Sequence, residues 1–81
     1  MRFLLSGRAK RDYQKLTKAL QKAADKQLAL LLKNLMHPSL RAKKYDETRD
    51  IWQGRISENY RFYFRINDDV YEIVTILKHP K

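Results

Sequence analysis

The chain has 81 residues, of which 43% are hydrophobic and 11% are aromatic, so it can form one domain with one core over residues 1–81. The absence of cysteine excludes disulfides and thiolate metal sites, and two histidines do not make a plausible zinc site. No apolar run approaches the roughly 20 residues that cross a bilayer. Basic residues follow the short apolar start at once, unlike in a secretion signal, so we expect a cytoplasmic protein with no membrane segment.

The net charge of +9 is concentrated in the first half of the chain. Residues 1–45 contain 12 Lys/Arg and 2 Asp/Glu, whereas residues 46–81 contain 6 Lys/Arg and 7 Asp/Glu. A basic half favours a polyanionic partner, and nucleic acid is the first candidate because phosphate neutralisation drives its non-specific binding. An acidic protein partner and a lysine-rich, solubilising helix surface are the alternatives.

The first half of the chain is predicted to form a short strand and then helix. Arg2–Leu5 can form the strand, and Ser6 is a suitable helix N-cap. Between positions 8 and 36 there is no proline or glycine, and apolar residues recur at the steps of three or four that are typical of one helical face. These residues are Ala9, Tyr13, Leu16, Leu20, Ala24, Leu28, Leu31 and Leu35. The pattern allows one long helix, or a hairpin of two helices that breaks near residues 17–21. Pro38 ends the helical part, because the residue before a proline is driven out of the α region.

The second half is predicted to be a meander of three antiparallel strands, over residues 51–57, 60–67 and 70–78. Residues 40–44 are extended before a polar turn at 46–50, and tight connections fall at 58–59 and 67–69. The last strand is almost continuously apolar, which suits the centre of a sheet. We expect the N-terminal strand to join the same sheet, giving an α+β fold with helices on one face.

The strand at 60–67 alternates between two kinds of residue. Its period of two places Tyr60, Phe62, Phe64 and Ile66 against the helices, and Arg61, Tyr63 and Arg65 on the other face. In the preceding strand, Trp52 and Ile56 are separated from Ile51, Gln53 and Arg55 in the same way. If the registers match, one open surface carries Gln53, Arg55, Arg61, Tyr63 and Arg65, with Arg41, Lys43 and Lys44 at its rim. Arginine can hold phosphates bidentately and tyrosine can stack on a base. The alternative is a solvated sheet face with cross-strand pairs such as Arg65 with Glu72.

The two histidines have different expected roles. His79 follows the long last strand, and histidine is the side chain best suited to transfer protons near neutral pH. The alternative for His79 is an ordinary solvated residue near the terminus. His37, beside Pro38 at a helix end, is interpreted as a cap or turn residue. Trp52 is interpreted as a core anchor.

Four segments of the chain together resemble the RelE/ParE toxin superfamily, in the same order and over nearly the whole sequence. They are Arg8–Leu16, His37–Lys44, Ile51–Phe64, which contains the motif YRFYF, and Ile73–His79, which ends in ILKH. The resemblance implies a RelE-like fold with the order β-α-α-β-β-β. In this fold a helical hairpin, with Thr17 at its break, packs on a small antiparallel sheet. It also implies that the chain is a toxin with a cognate antitoxin as its partner.

The resemblance further implies an activity and a set of site residues. RelE-like members cut messenger RNA on the ribosome without a metal or another cofactor. Matched position by position, Arg61, His79, Arg55 and Lys44 are then expected to be catalytic. Lys43, Arg41, Gln53, Tyr63 and Arg65 are expected to bind RNA, although a lysine stands in RelE where this chain has Gln53. ParE-like members instead poison DNA gyrase on a similar scaffold. A gyrase poison and a non-catalytic antitoxin-binding module therefore remain the alternatives.

Overall fold

The computed structural model describes residues 1–79, so Pro80 and Lys81, the last two residues of the predicted domain, lie outside the described part. The element order agrees with the α+β class expected from the sequence. In chain order the elements are β1 (Arg2–Leu5), α1 (Gly7–Gln14), α2 (Lys18–Lys33), a 3₁₀ turn (Pro38–Leu40), β2 (Lys43–Asp46), β3 (Ile51–Arg55), β4 (Tyr60–Asn67) and β5 (Val70–Lys78).

The helical segment forms a hairpin of two helices. Ser6 caps α1, since its Oγ accepts a hydrogen bond from the backbone N–H of Ala9 at 3.0 Å. Thr17 caps α2 in the same way, with its Oγ1 accepting from the N–H of Leu20 at 3.2 Å. The break interrupts a uniform apolar period, and the capping threonine is its local cause. α2 ends at Lys33, before the expected position, because Asn34 adopts an extended conformation.

The sheet has five strands in the order β1-β5-β4-β3-β2. The meander of β3, β4 and β5 is antiparallel, as predicted, and β2 adds a further antiparallel strand at one edge. β1 pairs with β5 in parallel, so the sheet is mixed and not wholly antiparallel. The reason is the route of the chain: the helical hairpin separates β1 from the rest of the sheet, and no tight turn forces an antiparallel pairing.

The core lies between the helical hairpin and one face of the sheet. Phe62 and Phe64, both fully buried, stack with their ring centroids 5.4 Å apart, and Tyr71 meets Phe64 edge-on at 5.7 Å. Trp52 stacks on Phe64 at 6.2 Å, which agrees with its interpretation as a core anchor. The predicted apolar helix face points into the same cluster, to which it contributes the buried residues Ala9, Ala24, Leu28 and Leu31.

α1 covers the part of β5 that β1 leaves unpaired. β1 reaches only as far as Ile73 along β5. Beyond that point the carboxylate of Asp12 accepts hydrogen bonds from Oγ1 of Thr75 at 2.6 Å and from the backbone N–H of Ile76 at 3.1 Å. This arrangement protects a strand edge and holds α1 against β5. Within residues 1–79, neither helix is long and apolar enough to cross a membrane.

Candidate functional site

The sheet face turned away from the helices carries three rows of directly paired residues. Paired residues of neighbouring strands point to the same side of a sheet, so each row shares one surface. The rows are Lys43, Gln53, Tyr63 and Thr75; Arg55, Arg61 and Leu77; and Arg65, Glu72 and Leu4. We call this surface the open face. The registers of β3 and β4 match, which was the condition set in the sequence-based prediction, so Gln53, Arg55, Arg61, Tyr63 and Arg65 lie on this one surface.

One end of the open face lies at the turn between β3 and β4, where three of the predicted catalytic residues meet. Arg55 and Arg61 are direct cross-strand partners and both are half-buried. The backbone N–H of His79 donates to the carbonyl of Asn59 in this turn at 2.6 Å. Nη1 of Arg61 also donates to carbonyl oxygens of the turn, at 2.6, 3.2 and 3.0 Å. These belong to Ser57, Glu58 and Tyr60.

The electrostatics of this end favour an anion. Directly opposed like charges on neighbouring strands destabilise a sheet, and a negative group between them relieves the repulsion. Neither of the two ion pairs found within residues 1–79 involves Arg55 or Arg61. The Nη1 atom of Arg61 is occupied by the turn, whereas its Nε and Nη2 have no hydrogen-bond partner in the described part of the chain. The turn therefore orients the Arg61 guanidinium and leaves two of its nitrogens for a ligand.

The centre of the open face is aromatic. Nε2 of the buried Gln53 donates to the hydroxyl of Tyr63 at 3.0 Å, which fixes the tyrosine ring. The ring of Tyr45 meets that of Tyr63 edge-on at 4.9 Å. Both rings border a shallow pocket of ≈ 210 Å³, which Arg8 and Arg49 also line. A planar base could stack here beside two cations.

Tyr45, Arg8 and Arg49 were missed in the sequence analysis. The signal for Tyr45 was present, because Tyr45 lies two positions after Lys43 and so belongs to the same face of an extended chain. The predicted extended segment ended too early, at Lys44. Arg8 reaches this surface only because α1 runs along the edge of β5, which no local pattern indicates.

Arg65 lies at the other end of the open face, four residues along β4 from Arg61, or about 13 Å at the rise of a strand. It is exposed, and Glu72 is its direct cross-strand partner, as the alternative interpretation expected. Its Nε also donates to the carbonyl of Arg49 at 3.4 Å. The structure therefore does not bring Arg65 to the β3–β4 turn.

Lys44 and Arg41 do not lie on the open face. Adjacent residues of a strand point to opposite sides, so Lys43 lies beside Gln53 whereas Lys44 lies beside Trp52, on the helix side. The Lys44 ammonium pairs with the carboxylate of Asp50 and lies 5.2 Å from the Trp52 ring centroid. The hydrogen bond to Asp50 raises the pKa of Lys44 above its usual 10.5, against a smaller opposing effect of desolvation. Arg41 precedes β2 and borders a separate cleft on the helix side.

The fold matches that of several toxins of known structure. A YoeB/ParE toxin from Agrobacterium tumefaciens has a TM-score of 0.82 at 14% identity, covering 99% of this chain and 100% of that chain. The YoeB dimer from Staphylococcus aureus has a TM-score of 0.82 at 19% identity, covering 99% and 98%. The toxin–antitoxin complex RelBE from E. coli has a TM-score of 0.74 at 17% identity, covering 98% and 96%.

Sequence comparison identifies the family. A search among curated proteins finds no match. The model of the ParE toxins of type II toxin–antitoxin systems, parDE, matches residues 3–81, which is nearly the whole chain. The protein is therefore a member of the ParE toxin family of type II toxin–antitoxin systems.

Proposed function

We propose that this toxin is a metal-independent endoribonuclease that cleaves messenger RNA on the ribosome and so stops translation in the cytoplasm. The observation that carries the proposal is the cross-strand pair of Arg55 and Arg61, with His79 held at the same turn. Two opposed cations suit a phosphate, and a histidine beside them supplies a group that transfers protons near neutral pH.

The proposed reaction is attack of an RNA 2′-oxygen on the neighbouring phosphorus. The bond from phosphorus to the 5′-oxygen breaks, leaving a 2′,3′-cyclic phosphate and a free 5′-hydroxyl. Arg61 stabilises the charge that develops on the phosphate, with Arg55 assisting, and its orientation by the turn carbonyls means that little reorganisation is needed. His79 donates a proton to the departing 5′-oxygen, while the proton of the 2′-hydroxyl passes to water.

The centre of the open face would hold the bases of the message. Tyr63 and Tyr45 offer aromatic rings for stacking, and Gln53, Lys43 and Arg65 offer polar and charged contacts along the same surface. Lys44 has no part in this proposal, because its ammonium is held by Asp50 on the opposite side of the sheet. Arg41 has no part in it either, because it borders the separate cleft on the helix side.

We also propose that a cognate antitoxin binds and neutralises this toxin. The proposal is supported by the family and by the E. coli structural neighbour, which is a toxin–antitoxin complex. An apolar groove of ≈ 390 Å³ between β1 and the helices is lined by residues that include Phe3, Leu28 and Leu32. Such a groove suits the apolar side of a partner segment.

A gyrase poison is the second candidate, and one specific observation favours it: the matching family model is that of the ParE toxins. In that case the basic surface would contact the gyrase–DNA complex, and Arg61 would serve only to brace the β3–β4 turn. The two functions predict different primary damage in a cell. An inactive, antitoxin-binding module predicts none.

The deciding experiment is to induce the toxin and to follow protein synthesis and chromosome breakage in the same culture. We expect protein synthesis to stop first, with messages cut inside their coding regions. Early double-strand breaks while translation continues would refute the nuclease and support the gyrase poison. No effect on either process would refute both and leave the antitoxin-binding module.

A further inference from the structure

A second basic surface lies on the helix side of the sheet, away from the open face. It is a cleft of ≈ 600 Å³ between α2, the 3₁₀ turn and the end of β3. Among the described residues its lining contains no Asp or Glu, and it includes Lys26, Arg41 and His37. Arg55 also borders it, and the backbone carbonyl of Arg55 is hydrogen-bonded to Gln27, a residue of the same lining. None of these basic residues belongs to either ion pair found within residues 1–79. The cleft therefore concentrates positive charge without a counter-charge on its walls.

Gln27 holds the walls of this cleft in place. Its side chain is buried, with 6% of its surface exposed. Its Nε2 donates to the carbonyl of Ser39 in the 3₁₀ turn at 3.0 Å and to the carbonyl of Arg55 at the end of β3 at 2.9 Å. One buried amide thus joins three elements, so the cleft is a preorganised part of the fold and not a gap between loops.

His37 presents a hydrogen-bond donor at this cleft. Its Nδ1 accepts from the backbone N–H of Ser39 at 3.2 Å. A neutral imidazole whose Nδ1 is an acceptor carries its proton on Nε2, so the second nitrogen is a donor. His37 is thus the cap residue that the sequence predicts, and its second ring nitrogen is left for another partner.

Arg41 has a backbone conformation that is unusual for its residue type. Its φ of 47° and ψ of 41° lie in the left-handed region, which glycine adopts freely and arginine rarely adopts. Left-handed backbone at a non-glycine residue costs free energy, and such residues are often found at ligand sites. The charged side chain is what glycine at this position would lack.

We propose that this cleft binds a backbone phosphate of RNA, through Arg41 and Lys26, with Nε2 of His37 as a further donor. Arg55 borders both the cleft and the open face, so an RNA strand that crosses the β3–β4 turn would meet the two surfaces in succession. An acidic protein segment is the competing ligand, but the continuity with the open face favours RNA. The inference depends on the proposed nuclease function in one respect: that function is the reason for taking RNA as the polyanion that binds in the cleft.

The test is the salt dependence of RNA binding by the full chain. The probe is a fluorescent 2′-O-methyl oligoribonucleotide, which the proposed reaction cannot cleave because its 2′-oxygen is blocked. Loss of one phosphate contact lowers the slope of log affinity against log salt by about 0.7 for a single strand, which weakens binding roughly fivefold at about 0.1 M salt. We expect this change for Arg41→Gly and for Lys26→Gln. Arg41→Gly should unfold at the same or a higher temperature, because glycine relieves the left-handed strain.

Lys33→Gln is the matched control, because it removes the same charge from an exposed position in the last turn of α2 that does not line the cleft. If Arg41→Gly and Lys26→Gln both bind the probe like Lys33→Gln, the cleft is not an RNA site, even if the wild type cleaves message. If they weaken binding as expected, the cleft assignment holds even for a protein that fails to cleave. A glutamate-rich peptide that displaces the probe and requires Arg41 would overturn the proposal in favour of an acidic partner.

Discussion

At the scale of single residues, the proposed chemistry depends most on His79. Its side chain is half-buried at the end of β5, and its only hydrogen bond within the described residues is the backbone bond to Asn59. We expect His79→Ala to fold and bind RNA normally but to cleave about 10²–10⁴-fold more slowly, which is the usual contribution of general acid–base catalysis. Single-turnover cleavage and thermal unfolding of the same preparations measure both properties. Cleavage at the wild-type rate would exclude His79 from the reaction.

A second residue-scale prediction concerns alkaline pH. The hydroxyl of Tyr13 donates to the carboxylate of Asp25 at 2.8 Å, and this bond, with burial and the negative charge, raises the Tyr13 pKa above its usual 10.0. A pKa raised on folding contributes stability that is present below the unfolded pKa and is lost as the pH rises through the folded pKa. We therefore expect stability to fall above pH 10.0.

The measurement for this pH effect is urea unfolding near pH 8 and near pH 11. Tyr13→Phe should lose less stability between the two pH values than the wild type, because it has no phenol to ionise at that site. Tyr45→Phe, which removes an exposed phenol from the opposite side of the sheet, serves as the control. An identical loss in wild type and Tyr13→Phe would contradict the assigned role of the bond.

At the scale of elements, the packing of β3 beside β4 depends on a glycine, Gly54, which is the direct cross-strand partner of Phe62. A Cβ added to Gly54 would clash with the ring of Phe62, which is fully buried in the core. We expect Gly54→Ala to destabilise the fold by about 1–3 kcal/mol, the usual cost of overpacking. Gly7→Ala is the control: its nearest new contact is at 3.7 Å, and alanine in the first turn of α1 should be neutral or stabilising by up to about 1 kcal/mol. Chemical unfolding of the two variants compares them directly.

The docking of α1 on β5 makes a second element-scale prediction. Asp12→Ala removes both bonds to the free edge of β5 and leaves the Ile76 N–H without its partner. We expect a loss of about 1–3 kcal/mol in the free energy of unfolding. Asp25→Ala removes the same charge but only an exposed bond, and it should cost far less. Equal losses in the two variants would show that the Asp12 bonds contribute nothing specific.

How well these elements could be predicted depends on the range of the interactions behind them. The faces of β3 and β4 follow from a period of two and were predicted correctly. The hairpin break at Thr17 was left open, because the apolar period continues through it and only the cap distinguishes the two cases. The parallel pairing of β1 depends on the path of the chain around the sheet, which no local pattern encodes.

The residues of the candidate site differ in the same respect: local sequence patterns place some of them, and long-range contacts place the others. Alternation within β3 and β4 was enough to predict a shared surface for Arg55 and Arg61 if the registers matched, whereas their direct pairing is seen only in the structure. The side of the sheet on which Lys44 lies depends on which residue of β2 pairs with Gln53. The structure pairs Lys43 with Gln53, and the register of β2 against β3 shifts directly after Lys44. The helix-side cleft needs contacts between Gln27 and two distant segments, so it could not be derived from the sequence.

At the scale of the whole molecule, the excess positive charge is distributed over both sides of the sheet. The open face offers oriented arginines and aromatic rings, and the helix-side cleft offers further cations, with Arg55 between the two surfaces. This arrangement suits a strand that wraps the β3–β4 turn. The positive charge of this basic chain is therefore divided between two surfaces and is not collected on a single face.

The central claim is that this family member cleaves RNA by attack of the 2′-oxygen, and the chemistry of the product ends tests it most directly. The purified toxin is incubated with programmed ribosomes, and the 3′ ends of the message fragments are identified by mass spectrometry. We expect 2′,3′-cyclic phosphates with the wild type, and the same ends about 10²–10⁴-fold more slowly with His79→Ala. Intact message, together with gyrase trapped on broken DNA in a parallel reaction, would contradict the account.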